Sequence, residues 1–420
     1  MKIPEWMKTN SAKSRSVLKG NTILVISPQS WGHMLISKHH FALELAGRGN
    51  QVYFLNPPNN NNWSLASYRK RILVNQPDLK NSLFLIDQIF YFPYLLKFHS
   101  RPLYNFLISR QIRAILRIIG KPIDIIWSFD IGNLFPLNLF PNNIFKIFHP
   151  VDEPGDKHAI SGANGADIIF SVTKEILDKY SGLSTPRHFI NHGLANEFIV
   201  EQPPVTNDRI QVGNSGNLLR PDLDREILLK IVKENPSVDF HFFGSYQFEQ
   251  SNLSGAASDQ TVNFISHLKS ADNVTLHGVV RTASLASMLN NMDMLLICYD
   301  IEKDQSKGTN YHKVMEYLST GKVIVSNNIS TYSDREDLVR MPAKRINNEE
   351  LPFLFRDTLM KIDKYNSIEL RNKRREYARQ NLYANQVDLI ASKIETSPGW
   401  VKKMSGDYSF NDKSSKVENK

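Results

Sequence analysis

Gly308-Thr-Asn-Tyr-His-Lys-Val-Met-Glu-Tyr-Leu-Ser-Thr-Gly-Lys-Val-Ile-Val-Ser326 reads as a glycine-bearing loop, a helix starting near Asn310, and a buried strand. Val314, Met315 and Leu318 recur at helical spacing, and Gly321 supplies the stop. A helix start leaves backbone amides unpaired at its positive dipole end, which suits a diphosphate. Glu316 stands about two turns in, on an otherwise apolar helix. A carboxylate there accepts two hydrogen bonds from a ribose diol, each contributing about 1.5–3 kcal/mol when charge-assisted. The competing reading is a helical glutamate facing solvent.

Outward from this stretch, short apolar strands alternate with amphipathic helices, the mark of parallel α/β sheets. Strands are expected at Thr22–Ser27, Gln51–Asn56, Asp124–Phe129, Ile144–His149 and Ala166–Val172, with a helix over Ser37–Arg48. Glu201–Asp208, polar and proline-bearing, reads as a linker, and Asn59–Asn62 as a loop. The pattern restarts with strands at Arg209–Gly213, Val238–Phe243, Asn273–His277, Met292–Cys298 and Lys322–Ser326, and with helices starting near Asp222, Ser284 and Asn310. Asn348 to about Lys393 reads as two helices. Neither half carries the G-x-G-x-x-G fingerprint, since the first strand leads into Ser27-Pro-Gln-Ser-Trp-Gly32; this argues against a nicotinamide or flavin enzyme.

Composition bounds the function further. With 420 residues, 41% hydrophobic and 22% charged, the chain suits two cores. Its one cysteine, Cys298, rules out an internal disulfide, fits a reducing compartment, and reads as a small core residue. The first twenty residues are polar and basic, so no signal peptide is expected. The longest apolar stretch, Leu83–Leu96, is interrupted by Asp87 and Gln88 and falls short of a membrane span. The net charge of +9 concentrates between Arg101 and Lys121, where Arg101, Arg110, Arg113, Arg117 and Lys121 meet no acidic residue. At steps of three and four, Arg110, Arg113 and Arg117 share one side of a helix. That helix either lies on an anionic membrane surface or is a packed helix with a solvated basic face. Nucleic acid is not expected as a partner, because no reading motif accompanies the charge.

The run from Asn310 to Ser326 resembles the donor-site signature of GT-B glycosyltransferases. It is most similar to bacterial enzymes making cell-surface polysaccharides (glycosyltransferase group 1/family 4-like), in which K-x-x-E-Y-L-x-x-G-K-x-V-x-S recurs. Val212-Gly-Asn-Ser-Gly-Asn217 resembles the glycine loop that opens the C-terminal domain, and Phe242-Phe-Gly-Ser245 the strand end that follows. Asn273-Val-Thr-Leu-His-Gly278 and Leu285–Leu296 complete a resemblance over about Arg209–Ser326.

The resemblance implies an α/β chain with two Rossmann-like domains facing across a cleft. Residues 1–200 would form the acceptor domain and 201–380 the donor domain; 381–398 would be a helix packing back on the first domain, and 399–420 a disordered tail. Glu316 would hold the nucleotide ribose. Thr309 and Asn310 would line the diphosphate, and Gly278, Val279 and Val280 would border the base. The loop from Gly213 to Gly216, with Gly244 beyond, would let the donor approach the backbone. Arg220 and Lys313 are candidates for neutralising the leaving diphosphate. Many retaining members carry a second glutamate eight residues before Glu316, where this chain has Gly308; Glu302 and Asp304 are out of register. The donor sugar and the stereochemistry of transfer are therefore open.

In the first half, Phe148-His-Pro-Val-Asp-Glu153 follows a strand, and Asp152 or His149 could activate an acceptor hydroxyl. Its alternative is a strand-end turn, for which Asp-Glu-Pro-Gly is strong chemistry. Trp31, Gly32 and His33 form a candidate acceptor loop, in which Trp31 stacks on a sugar or simply packs. Asp222-Leu-Asp224 matches a metal-binding D-x-D, but its place just after Pro221 reads as helix capping. His39-His40 lacks a matching ligand partner, so zinc is not expected. The chain is thus expected to be a cytoplasmic enzyme, peripheral at the inner face of the membrane if the basic helix binds there. It would need no metal and would move a sugar from a nucleoside-diphosphate donor to a saccharide or lipid-linked acceptor. A nucleotide-sugar epimerase and a silent sugar-nucleotide-binding scaffold are the alternatives.

Overall fold

The computed structural model describes residues 17–32, 35–59, 71–77, 82–155, 157–200, 207–247, 258–304 and 306–405. Residues 33, 60–62, 201–206 and 406–420, on which parts of the expectations above fall, lie outside these. The chain divides into two compact units: Met1–Ser171 with Ile176–Ile190 and Val387–Lys420, and Val172–Glu175 with Asn191–Gln386.

The first unit holds an eight-stranded sheet: β1 (Thr22–Ile26), β2 (Gln51–Leu55), β3 (Ile72–Asn75), β4 (Leu83–Gln88), β5 (Ile125–Ser128), β6 (Phe145–Phe148), β7 (Ile168–Ser171) and β8 (Arg187–Phe189). Their order is β3-β4-β2-β1-β5-β6-β7-β8. All pairs are parallel except β3–β4, which is antiparallel. β5, β6 and β7 are buried along their whole length, as strands covered on both faces must be. β3, β4 and β8 were not anticipated. β3 is exposed at three of its four positions and β8 is three residues long, so neither has the length and two-sided burial of a central strand.

The second unit holds β9 (Gln211–Ser215), β10 (Asp239–Phe243), β11 (Val274–Gly278), β12 (Met294–Ile297) and β13 (Val323–Ser326), all parallel. Their order is β11-β10-β9-β12-β13. The direction of winding reverses between β9 and β12, and ligands of such sheets bind at the carboxyl ends of strands flanking that reversal. The Lys313–Thr320 helix follows β12 and leads into β13. It buries Val314, Met315, Tyr317 and Leu318, and Gly321 closes it in the left-handed conformation (φ +76°).

Four boundaries differ from expectation. The helix expected near Asn310 starts at Lys313, because Asn310 is engaged through its side chain, as described below. Asp224, not Asp222, caps the Arg225–Glu234 helix, its carboxylate accepting from the Ile227 amide at 3.2 Å. The C-terminal region comprises four helices rather than two: Leu351–Met360, Ile362–Tyr365, Ile368–Gln380 and Tyr383–Glu395. Finally, residues expected in a tail form a helix, Pro398–Ser405. Trp400 stands edge-on to Phe145 at 5.2 Å, and the Lys403 ammonium donates to the Ile144 carbonyl and pairs with Asp167. A buried tryptophan and a paired lysine order this segment against the first sheet. No helix among the described residues is long and apolar enough to cross a membrane.

Candidate functional site

Three glycines shape the carboxyl ends of β9, β10 and β11. Gly216 (φ +136°) donates to the Phe243 carbonyl and Gly244 (φ +145°) to the Gly278 carbonyl, both at 2.8 Å. A Cβ on Gly244 would fall 1.9 Å from the Gly216 carbonyl oxygen, so only glycine lets these two turns nest. Gly213, inside β9, would drive a Cβ into Met292 at 2.7 Å; its role is close strand packing.

The basic groups converge on this loop. Lys313 is half-buried; its ammonium donates to the Ser215 carbonyl and sits 4.8 Å from the centre of the Tyr299 ring. Burial opposes its charge, but neighbouring tyrosines outweigh that effect and its pKa is raised. Tyr317, on the same helix, accepts from the Ser215 amide at 2.6 Å and so fixes the loop from beneath. Arg220 lays its guanidinium fork on Asp222 (Nε–Oδ1 2.8 Å) and over Tyr299 at 5.6 Å. The Asp222 hydrogen bond raises the pKa of Arg220. Asp222 therefore orients a cation, and no cluster of metal-ligating residues occurs among the described residues.

Glu316 lies in the first turn of its helix, not two turns in. One carboxylate oxygen is 3.3 Å from Nδ1 of His312, whose Nε2 is 3.2 Å from the Tyr383 hydroxyl. Tyr383 packs closely against Gly193, where a Cβ would come within 2.4 Å of its ring. Burial pushes the Tyr383 pKa up, so its hydroxyl remains a donor. The sequence reading missed His312 and Tyr383. The spacing of four between His312 and Glu316 was a usable signal, but Tyr383 is distant in sequence and carried none.

Thr309 and Asn310 are buried in a loop organised by Asp304. The Asp304 carboxylate accepts from the Ser306 and Gly308 amides at 3.0 and 2.9 Å and from the Tyr311 hydroxyl at 2.7 Å. The Asn310 amide group donates to the Val172 carbonyl and to Asn191 Oδ1, each at 2.9 Å. Its own oxygen is buried without a partner among the described residues. Gly308 is left-handed (φ +66°), and a Cβ there would meet the Asn328 carbonyl at 2.7 Å. A glutamate at this position, which many of the enzymes that the chain resembles carry, is thus excluded by the path of the backbone. Gly278 is buried, Val280 half-buried, and Val279 exposed.

In the first unit, His149 is corrected from a catalytic candidate to a core residue. It is 1% exposed, ringed by Phe41, Trp127, Phe129 and Phe170, and its Nδ1 accepts from the Trp127 indole at 3.3 Å. Burial and the Lys38 charge push its pKa down to about 3. Asp152 is by contrast accessible, with Lys38 Nζ at 3.7 Å. Burial lowers the Lys38 pKa, and Asp152 opposes that effect. Trp31 packs edge-on against His39 and Phe54, both at 4.9 Å, and Gly32 is exposed; His33 lies outside the described residues.

No protein-family model matches the chain, and no curated protein is similar to it in sequence. Solved structures are similar in fold. Sucrose-phosphate synthase from Thermosynechococcus elongatus aligns over 89% of this chain and 98% of its own, with TM-score 0.62 and 11% identity. Anabaena HepE in complex with UDP and glucose aligns over 90% and 100%, with TM-score 0.58 and 12% identity. A glycosyltransferase from Rickettsia africae aligns over 92% and 99%, with TM-score 0.55 and 11% identity. The chain therefore has the fold of GT-B glycosyltransferases, with a Rossmann-like sheet in each unit.

Proposed function

We propose that the protein is a glycosyltransferase that moves a sugar from a nucleoside-diphosphate donor to a hydroxyl of a saccharide or lipid-linked saccharide. The reading places it in cell-surface polysaccharide synthesis, at the inner face of the membrane. The observation that carries it is the setting of Glu316: a carboxylate oriented by His312, on the helix whose Lys313 reaches the glycine loop at the sheet's winding reversal. A donor bound there meets a ribose acceptor in Glu316 and two cations, Lys313 and Arg220, to stabilise the diphosphate as the glycosidic bond breaks. The fold likeness to HepE, solved with UDP and glucose, supports a uridine nucleotide as the first donor to test. Asp152, accessible at the end of β6, is the group proposed to orient or deprotonate the acceptor hydroxyl. No metal enters this scheme, because Lys313 and Arg220 supply the positive charge.

Calorimetric titration with UDP and UDP-sugars tests the proposal. Binding by the native protein, weakened roughly ten- to a hundredfold in Glu316→Ala, is expected. Absence of binding by any nucleoside diphosphate or its sugar would sink it. Interconversion of the donor sugar without an acceptor would instead identify an epimerase.

A further inference from the structure

The first unit carries a surface whose two chemistries are spatially ordered. Among the described residues, Tyr94, Leu95, Phe98, Leu103 and Phe106 are large hydrophobic side chains left 45% or more exposed within thirteen residues of chain. Tyr94 and Leu95 stand in the turn before a short helix, Leu96–His99, which carries Phe98, and Leu103 and Phe106 lie in the first part of the Arg101–Ile119 helix. The opposite side is anchored in the core through Tyr104, Ile108, Ile112 and Ile115, so the exposed stripe is fixed in direction. Leu103, Phe106, Arg110, Arg113 and Arg117 follow one another at steps of three, four, three and four, a single solvent-facing row. Its first part is apolar and its remainder cationic. Arg110 lies over the Phe106 ring at 4.4 Å, at the join between the two.

The other cations of this segment are committed elsewhere: Lys97 to the Gly132 carbonyl, Arg101 to the Tyr104 ring, and Lys121 to Gln51 at 2.8 Å. No acidic residue occurs between Asp87 and Asp124. That charge pattern selects the occupant. A second copy of the chain would offer these arginines no opposite charge from its own row, whereas an anionic bilayer offers hydrocarbon to the aromatic end and headgroup phosphates to the arginines.

We propose that this face seats the protein on an anionic membrane, with Tyr94, Leu95, Phe98, Leu103 and Phe106 entering the headgroup–acyl boundary and Arg110, Arg113 and Arg117 held at the phosphates. The assignment deepens the membrane part of the proposed function but does not depend on the donor site. Tyrosine and phenylalanine suit that depth, and guanidinium groups on long stems reach back to the phosphates.

Co-sedimentation of the full chain with vesicles of phosphatidylcholine, alone or mixed with phosphatidylglycerol, provides the test. Binding is expected only with the anionic lipid, and high salt should weaken it. Charge reversal at Arg113 and Arg117, or Phe98→Ser with Phe106→Ser, should each lower partitioning, the charge reversal by roughly a hundredfold. All these side chains are exposed, so melting temperature and UDP affinity should stay at native values. Equal binding to both vesicle types, or undiminished binding by both variants, would overturn the proposal. So would a soluble dimer lost on Phe106→Ser without vesicle binding. Loss of UDP binding with vesicle binding intact would sink the donor reading and leave this one standing.

Discussion

The Glu316 carboxylate lies 3.3 Å from Nδ1 of His312, one helical turn before it, and His312 is itself backed by the buried Tyr383 hydroxyl at 3.2 Å. With the proton on Nδ1 directed at the carboxylate, Nε2 accepts from Tyr383, so two side chains in series fix the carboxylate orientation. His312→Gln or Tyr383→Phe should raise the UDP dissociation constant several-fold, less than Glu316→Ala, while circular dichroism stays native. Calorimetry on the three variants checks the order. Equal affinity in native protein and His312→Gln would mean that the carboxylate does not need this support.

Gly193 carries the far end of that chain. An alanine Cβ would lie 2.4 Å from the Tyr383 ring, which is buried and cannot withdraw without opening a cavity. Gly193→Ala should cost about 1–3 kcal/mol, the range for overpacking. Urea denaturation gives the figure, and UDP affinity should fall with it.

Placing a glutamate at position 308 should fail. Gly308→Glu places a side chain in left-handed backbone with its Cβ 2.7 Å from the Asn328 carbonyl, against a loop whose amides are held by Asp304. The variant should melt lower than native and gain no donor turnover. A stable variant with increased turnover would show that the loop can be rebuilt.

Stability should fall with acid through two buried histidines. Burial pushes His149 down to about 3 and His39 to about 4, whereas unfolded histidine titrates near 6.5. Between those values the unfolded state binds protons that the native state does not, so stability decreases as pH falls from about 6.5 towards 4. The slope approaches about 1.4 kcal/mol per pH unit for each histidine. Urea denaturation across that range measures it, and His149→Phe should lower the slope by about 1.4 kcal/mol per pH unit.

Cys298 is fully buried at the end of β12 and its thiol pKa is raised well above the usual value by burial. It should resist thiol reagents in native buffer and react stoichiometrically in denaturant. Labelling at native rates equal to those of a free thiol would show that this strand end opens.

Sequence periodicity determined the alternating strands and helices, because strands covered on both faces leave continuous apolar runs such as Met294–Ile297 and Val323–Ser326. It also marked the glycine loops and Glu316, whose spacing is a local property of the backbone. What it could not mark were the short β8, the largely exposed β3, and contacts between residues distant along the chain. The tertiary structure alone placed His149 inside an aromatic cage, ordered Pro398–Ser405 through Trp400 and Lys403, and closed Gly308 to a side chain. The His312 support of Glu316 was four residues away and legible; its Tyr383 backing, sixty-seven residues from Glu316, required the fold. The physical reason is common to all of these. Hydrogen-bond periodicity and turn chemistry act between near neighbours, whereas burial, which sets protonation, packing and access, is decided by whatever the rest of the chain brings alongside.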